Sequence, residues 1–226
     1  MQHLDKFQAV VTLNGSVAFY EHCSGVPRVW GKADDHLSDL EVMQGLLRAA
    51  ECTPIPQCLI NISLASTLGY RGQRLLHMIR DLQGGERGVI GLEITEHGVH
   101  LGHTADVGRF IRLARDQGLA VALDGVESDH PFSHHSFAWR AGITHVKIRA
   151  SEEDFAQLAG DFRDRGIKVI AKHVEHRDQL MRARQSADYL QGFLIARPRP
   201  LPVSERAQPD PAAGKIVPMP GQDATT

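Results

Sequence analysis

Leu92-Glu93-Ile94-Thr95-Glu96, followed one helical pattern later by Val121-Ala122-Leu123-Asp124-Gly125, is the stretch that decides the fold. Each phrase is a short apolar run carrying carboxylates at or near its end. The order strand, acid, helix, strand, acid is how a metal-dependent barrel enzyme assembles its site. Here the series is interrupted: Gly125 follows Asp124, and Lys172 stands where a further acid is expected.

Outward from that core, eight β-type runs recur: Phe7 to Leu13, Ser16 to Cys23, Cys58 to Leu64, Val89 to Thr95, Leu119 to Val126, His145 to Ile148, Val169 to Val174 and Tyr189 to Ile195. Asn14-Gly15 between the first two is a two-residue hairpin signal, which makes those strands antiparallel neighbours. Helical patterns separate the later runs. Over Ala105 to Gln117, residues Val107, Phe110, Ile111 and Ala114 recur at helical spacing, with Thr104 as cap and Gly118 as stop; Glu152 to Arg165 repeats this with Phe155, Leu158, Ala159 and Phe162 between Ser151 and Gly166. Each stripe is first of all a face turned to the core. Strands alternating with such helices predict an α/β fold with βα units around a mainly parallel sheet, and eight strands predict closure into a TIM-like (β/α)8 barrel with an antiparallel first strand.

Composition sets the outer bounds. The 226 residues hold one substantial core, with 23% charged and 42% apolar residues as in ordinary folded proteins. A formal net charge of -2 gives no basic field for nucleic acid or an anionic membrane. No apolar run is long enough to span a bilayer, and Met1 to Lys6 lacks a secretion signal, so the expected address is cytoplasmic. The odd number of cysteines, Cys23, Cys52 and Cys58, points to free thiols in a reducing compartment. His130, His134 and His135 crowd one loop, where a solvated His-rich segment outweighs a zinc site because no cysteine or carboxylate has matching spacing. Residues 1–200 are expected to form one domain. Beyond Pro200, prolines without apolar period predict a disordered tail over 201–226.

Barrel enzymes carry their chemistry at the carboxyl ends of the strands. This chain places Glu21, Asn61, Glu93, Glu96, Asp124, Lys147, Lys172, Glu175 and Gln191 in or after its successive runs. Singly, each has a structural explanation as a strand end, turn former or surface charge. Together, oxygen donors embedded in apolar strands are costly to bury without partners, and hard donors of this kind suit magnesium or manganese.

The ordered phrases Asn-Ile-Ser (61–63), Leu-Glu-Ile-Thr-Glu (92–96), Ala-Leu-Asp (122–124), Val-Lys-Ile (146–148), Val-Ile-Ala-Lys-His-Val-Glu (169–175), Ala-Asp-Tyr-Leu-Gln-Gly-Phe-Leu (187–194) and Arg-Pro-Arg-Pro (197–200) resemble the EAL domains, which hydrolyse the bacterial second messenger cyclic di-GMP. Phe7-Gln8 resembles the family's opening Tyr-Gln, and of the signature Glu-Ala-Leu only Glu21 persists. The resemblance implies a two-metal phosphodiesterase releasing linear pGpG, with Glu21, Asn61, Glu93 and Asp124 as ligands of the first metal and Lys147 orienting the attacking water. It also implies nucleotide contacts from Gln8, Glu175 and Gln191. The family's phosphate-clamping arginine falls at Gly25 or nearby, and Arg28 reaches that place only if the loop shifts.

Departures fall on the second half of the site. The family's paired aspartates become Asp124-Gly125, its Phe-Gly-Thr-Gly loop is absent, and the first acid of its Glu-Gly-Val-Glu is Lys172. An ammonium there repels a second metal unless its side chain turns to solvent. Glu127 or Asp129 could substitute by swinging in, but the glycines that let the family's loop close are gone. The expectation is therefore a degenerate EAL domain of bacterial cyclic di-GMP signalling, holding magnesium or manganese at one site at most and acting by binding the nucleotide or a protein partner. The alternative is an active phosphodiesterase. Shortened connections between Glu21 and Asn61 and between Lys147 and Lys172 leave dimerisation open, since the second normally contributes to dimer packing in that family.

Overall fold

The computed structural model describes residues 6–23, 35–52, 55–82, 89–95, 104–126, 137 and 141–200. Eight strands, β1 (Lys6–Thr12), β2 (Val17–Cys23), β3 (Cys58–Ser63), β4 (Val89–Thr95), β5 (Ala120–Leu123), β6 (His145–Arg149), β7 (Lys168–Lys172) and β8 (Tyr189–Leu190), close in sequence order into a barrel. β1 runs antiparallel to both β2 and β8, and every other neighbouring pair is parallel. Five helices surround it among the described residues: α1 (Asp35–Cys52), α2 (Gly69–Leu82), α3 (Thr104–Asp116), α4 (Phe155–Arg163) and α5 (Arg177–Ser186). The expected α/β barrel with its antiparallel entry is the observed architecture.

The two expected stripes are core faces. Val107, Phe110, Ile111 and Ala114 of α3 are buried, as are Phe155, Leu158, Ala159 and Phe162 of α4. Helix starts differ from the expectation: α3 begins at Thr104 itself, and α4 begins at Phe155 with Asp154, not Ser151, as its cap. The cause in α4 is local. Glu152 N bonds Arg149 O at 3.1 Å and Phe155 N bonds Glu152 O at 3.3 Å, so two turns intervene before the helix can start. The β1–β2 hairpin also closes differently, through Leu13-Asn14-Gly15 rather than a two-residue turn. Thr12 N bonds Ser16 O at 2.9 Å, Gly15 sits at φ 88°, and the register shifts between Val10 and Val11, the signs of a three-residue loop with a bulge.

Three strands end two or more residues before the apolar runs that predicted them. β5 stops before Asp124, β7 stops at Lys172, and β8 holds only two residues. After β5, Gly125 has φ 72°, and after β7, His173 has φ 55°; both leave strand geometry for the left-handed region. These departures lie at the carboxyl end of the barrel, where the chain must turn to form a mouth.

Strand side chains alternate between the two faces of the sheet, so residues two apart share the barrel interior. A lower interior layer of Val10, Phe19, Leu59, Ala122 and Ile170 forms its own buried apolar cluster, with Tyr189 packed on it. Two residues on toward the mouth, the same faces carry Gln8, Glu21, Asn61, Asp124, Lys172 and Gln191. A larger apolar cluster fills the space between the sheet's outer face and the helices. The tail from Leu201 onward and the His-rich loop with His130, His134 and His135 lie outside the described residues.

Candidate functional site

Seven of the eight strands send a polar or charged group into one mouth. A cavity of about 320 Å³ is lined by Gln8, Glu21, Glu93, Asp124, Lys147, Lys172, His173, Glu175, Gln191, Gly192, Phe193 and Pro198. That volume lies within the range of small-molecule sites. Asn61, the contribution of the remaining strand β3, is not among the lining residues and donates from Nδ2 to Glu21 Oε1 at 2.8 Å. The sequence-selected residues are therefore brought together, with the exception of Glu96, Gly25, Arg28, Glu127 and Asp129, which lie outside the described residues.

Lys147 is the hinge of the arrangement. Its side chain is only 2% exposed, and its Nζ lies 2.8 Å from Glu21 Oε2 and 2.5 Å from Glu93 Oε2. The first contact is a hydrogen bond; the second is an ion contact whose angles leave Glu93 Oε2 without one. Gln191 Nε2 adds a donor to Glu21 Oε2 at 2.5 Å and reaches Gln8 Oε1 at 3.3 Å. Gln8 in turn donates to the Ala196 carbonyl at 2.9 Å.

These contacts sort the titrations. Burial alone would raise Glu21, but the Lys147 ammonium and the donors from Lys147, Asn61 and Gln191 hold its carboxyl down at about 2. Glu93 has only Lys147, so burial and the neighbouring Glu21 charge carry it well above the usual carboxylate range. Against the cost of burial, Glu21, Glu93 and Asp124 together raise Lys147, which stays charged. Burial and the Glu21 charge push the Cys23 thiol up to about 12, and burial does the same to Cys58. Both are free thiols, and at those values neither is a nucleophile.

Lys172 does not turn to solvent. Its side chain is 13% exposed and its Nζ sits 2.5 Å from Asp124 Oδ1, the acid matched to the first metal. The effect of this lysine thus falls on the half of the site that the sequence left intact. Two unit charges about 4 Å apart interact by roughly 4 kcal/mol at an effective dielectric near 20, and a dication beside an ammonium doubles the repulsion. Among the described residues, no group of three or more His, Cys, Asp or Glu side chains is arranged to hold a metal ion. The donor set as arranged does not fit a divalent cation: each of the three acids is already held by an ammonium, and Asn61 and Gln191 present nitrogen, not oxygen, to Glu21.

Two backbone features shape the mouth. Gly192 packs so tightly on Val174 that a Cβ would meet the Val174 backbone, while Val174 N bonds Gln191 O at 3.0 Å and Leu194 N bonds Val174 O at 3.0 Å. This lock aims Gln191 inward. His173 is the one non-glycine residue at positive φ among the described residues, where a side chain costs about 1–2 kcal/mol. It lines the cavity, and burial beside Lys172 lowers its imidazole.

Sequence reasoning assigns no role to His173, Phe193 or Pro198, all of which line the cavity. A signal existed for the first, a histidine at the glycine position of Glu-Gly-Val-Glu. Phe193 is about half exposed, with the Arg197 guanidinium 4.7 Å above its ring.

No protein-family model and no curated protein matches this sequence. Solved structures do match. The YkuI protein of Bacillus subtilis, which has an EAL domain and was solved with substrate cyclic di-GMP and calcium, aligns at TM-score 0.70 and 19% identity over 87% of this chain. This chain spans 55% of that protein's length. The FimX EAL domain of Xanthomonas citri, solved with cyclic di-GMP, gives TM-score 0.64 and 17% identity over 88% of each chain. The EAL domain of Mycobacterium smegmatis DcpA gives 0.61 and 17%, covering 86% of this chain and 90% of that one. The chain has the EAL domain fold. No helix among the described residues is long and apolar enough to cross a membrane.

Proposed function

We propose that this chain is an EAL-type domain that binds cyclic di-GMP at its barrel mouth without hydrolysing it. The observation that carries the reading is the Lys172 ammonium on Asp124 at 2.5 Å, inside the cavity that Gln8, Glu175 and Gln191 also line. In-line phosphodiester hydrolysis by a two-metal site needs cations that clamp the attacking and leaving oxygens together. An ammonium carries one charge and cannot ligate water as a metal does, so it neutralises the acids without generating a nucleophile. Of the groups matched to nucleotide recognition, the arginine's place is Gly25 or nearby, but Gln8, Glu175 and Gln191 have kept their chemistry: two amides and a carboxylate able to read a base edge or ribose. Support from relatives is that YkuI and FimX were each solved with this nucleotide in place.

The proposed binding runs through no metal, and the magnesium or manganese site anticipated from Glu21, Asn61, Glu93 and Asp124 has no part in it. Isothermal titration of the 226-residue chain with cyclic di-GMP is expected to give saturable heat, and incubation with magnesium or manganese is expected to give no pGpG. Multiple turnover to pGpG refutes the loss of catalysis. A titration without heat refutes nucleotide binding and leaves a protein partner as the occupant of the mouth.

A further inference from the structure

We propose that Lys172 is a resident cation that fills the Asp124 corner of the mouth and shuts divalent metals out of the first site as well as the second. The inference deepens the non-hydrolytic reading and rests on the mouth being an EAL-type site. A lysine at a strand end has a long stem and can carry its charge into water at little cost. This one stays in, with its side chain 13% exposed and its ammonium on Asp124.

Among the described residues, the acids matched to the first metal are already engaged by cations of the chain itself. Lys147 holds Glu21 and Glu93, and the amide nitrogens of Asn61 and Gln191 point at Glu21. A metal entering this layer has to displace an ammonium from a carboxylate and turn the Asn61 amide around, and each exchange strands a buried donor. The neighbouring backbone adds a cost on the other route. Gly125 at φ 72° has open space where a Cβ would sit, so what disfavours an acid there is its left-handed backbone rather than a clash. The ligand class follows from the fixed charge. Lys172 spends one of three N–H donors on Asp124, and the other two are available to a phosphate or phosphodiester oxygen without any metal.

Manganese titration of the full chain, followed by the electron paramagnetic resonance of free Mn2+ and by melting temperature with and without EDTA, tests this. The wild-type chain is expected to retain no Mn2+ at this site below about 1 mM and to melt at the same temperature in both conditions, whereas Lys172→Glu gains affinity by at least about 100-fold and a melting temperature that rises with Mn2+. The gained signal disappears on adding Asp124→Asn, which separates it from ions held by the histidines. Where Lys172→Glu does not fold, Lys172→Met serves, with an expected gain of about 10-fold. Micromolar Mn2+ in the wild-type chain that Asp124→Asn abolishes, or no gain in a folded Lys172 variant, overturns the proposal. The pGpG assay on the same wild-type protein decides the non-hydrolytic reading separately, since metal exclusion and turnover are scored on different signals.

Discussion

The two interior layers of this barrel come from the same strands, two residues apart, and have opposite chemistry. Phe19 lies below Glu21, Leu59 below Asn61, Ala122 below Asp124, His145 below Lys147, Ile170 below Lys172 and Tyr189 below Gln191. The lower layer is held by shape: the rings of Phe19, His145 and Tyr189 meet at centroid distances of 5.5 to 5.9 Å, and apolar side chains fill the rest. The upper layer is held by charge, with two lysines threaded among three acids. Apolar packing tolerates many sequences of similar volume, but a buried ionic layer fails when one member is removed. Drift in a site of this kind therefore has to replace one cation by another, and a tethered ammonium is the replacement that the chain itself can encode.

The two layers part most strongly in Lys147→Met. The variant keeps the stem's volume but leaves Glu21 and Glu93 facing each other in the interior, and it is expected to cost about 3–5 kcal/mol in urea unfolding at pH 7. A loss below about 1 kcal/mol would mean that the acids escape to water and that the layer is not held by its lysines.

Much of this was legible in advance, and the exceptions have a common cause. Alternation and helical stripes act on every residue of an element, so the eight strands, the hairpin and the α3 and α4 faces could be read directly. The convergence of Glu21, Glu93, Asp124 and Lys147 followed once those strands were placed at one mouth. What could not be read was where a flexible side chain points. Lys172 was expected to repel a second metal or swing outward; its actual partner, Asp124, is 48 residues away in sequence and adjacent only through the barrel. The strand ends were overrun for a similar reason: Gly125 and His173 leave the sheet because the mouth has to turn, and an apolar pattern carries no record of φ. The α4 cap falls at Asp154 and not at Ser151 because of turns through Arg149 and Glu152, which helical spacing does not encode.

In the lower layer the corresponding probe is pH. Burial lowers His145 from 6.5 to about 4, against the smaller pull of Asp188, so the fold holds the imidazole neutral. A folded value below the unfolded one means that the unfolded chain binds the extra proton first. The stabilisation is then fully present above about pH 6.5 and is lost as pH falls toward 4. About 2–3 kcal/mol should disappear over that window. His145→Gln removes the group, and the difference between its stability–pH curve and that of the wild-type chain isolates the effect from the carboxylates. Superimposable curves would show that the ring takes up its proton without leaving Phe19 and Tyr189.

The smallest expected effect sits at the edge of the upper layer and has the opposite sign. His173 holds a left-handed backbone at φ 55°, between Lys172 on Asp124 and the fully buried Val174. Glycine there relieves about 1–2 kcal/mol of steric cost and gives back part of it through the entropy of the unfolded chain. His173→Gly should therefore stabilise the protein by about 0.5–1 kcal/mol, measured as a higher urea midpoint at unchanged slope. A non-glycine residue held at this φ in the cavity lining is strain located where a ligand would be met. The same variant separates the layers once more: a rise in stability with weaker cyclic di-GMP binding assigns the cost to recognition, while a fall in stability shows that the imidazole packs well enough to repay its own backbone.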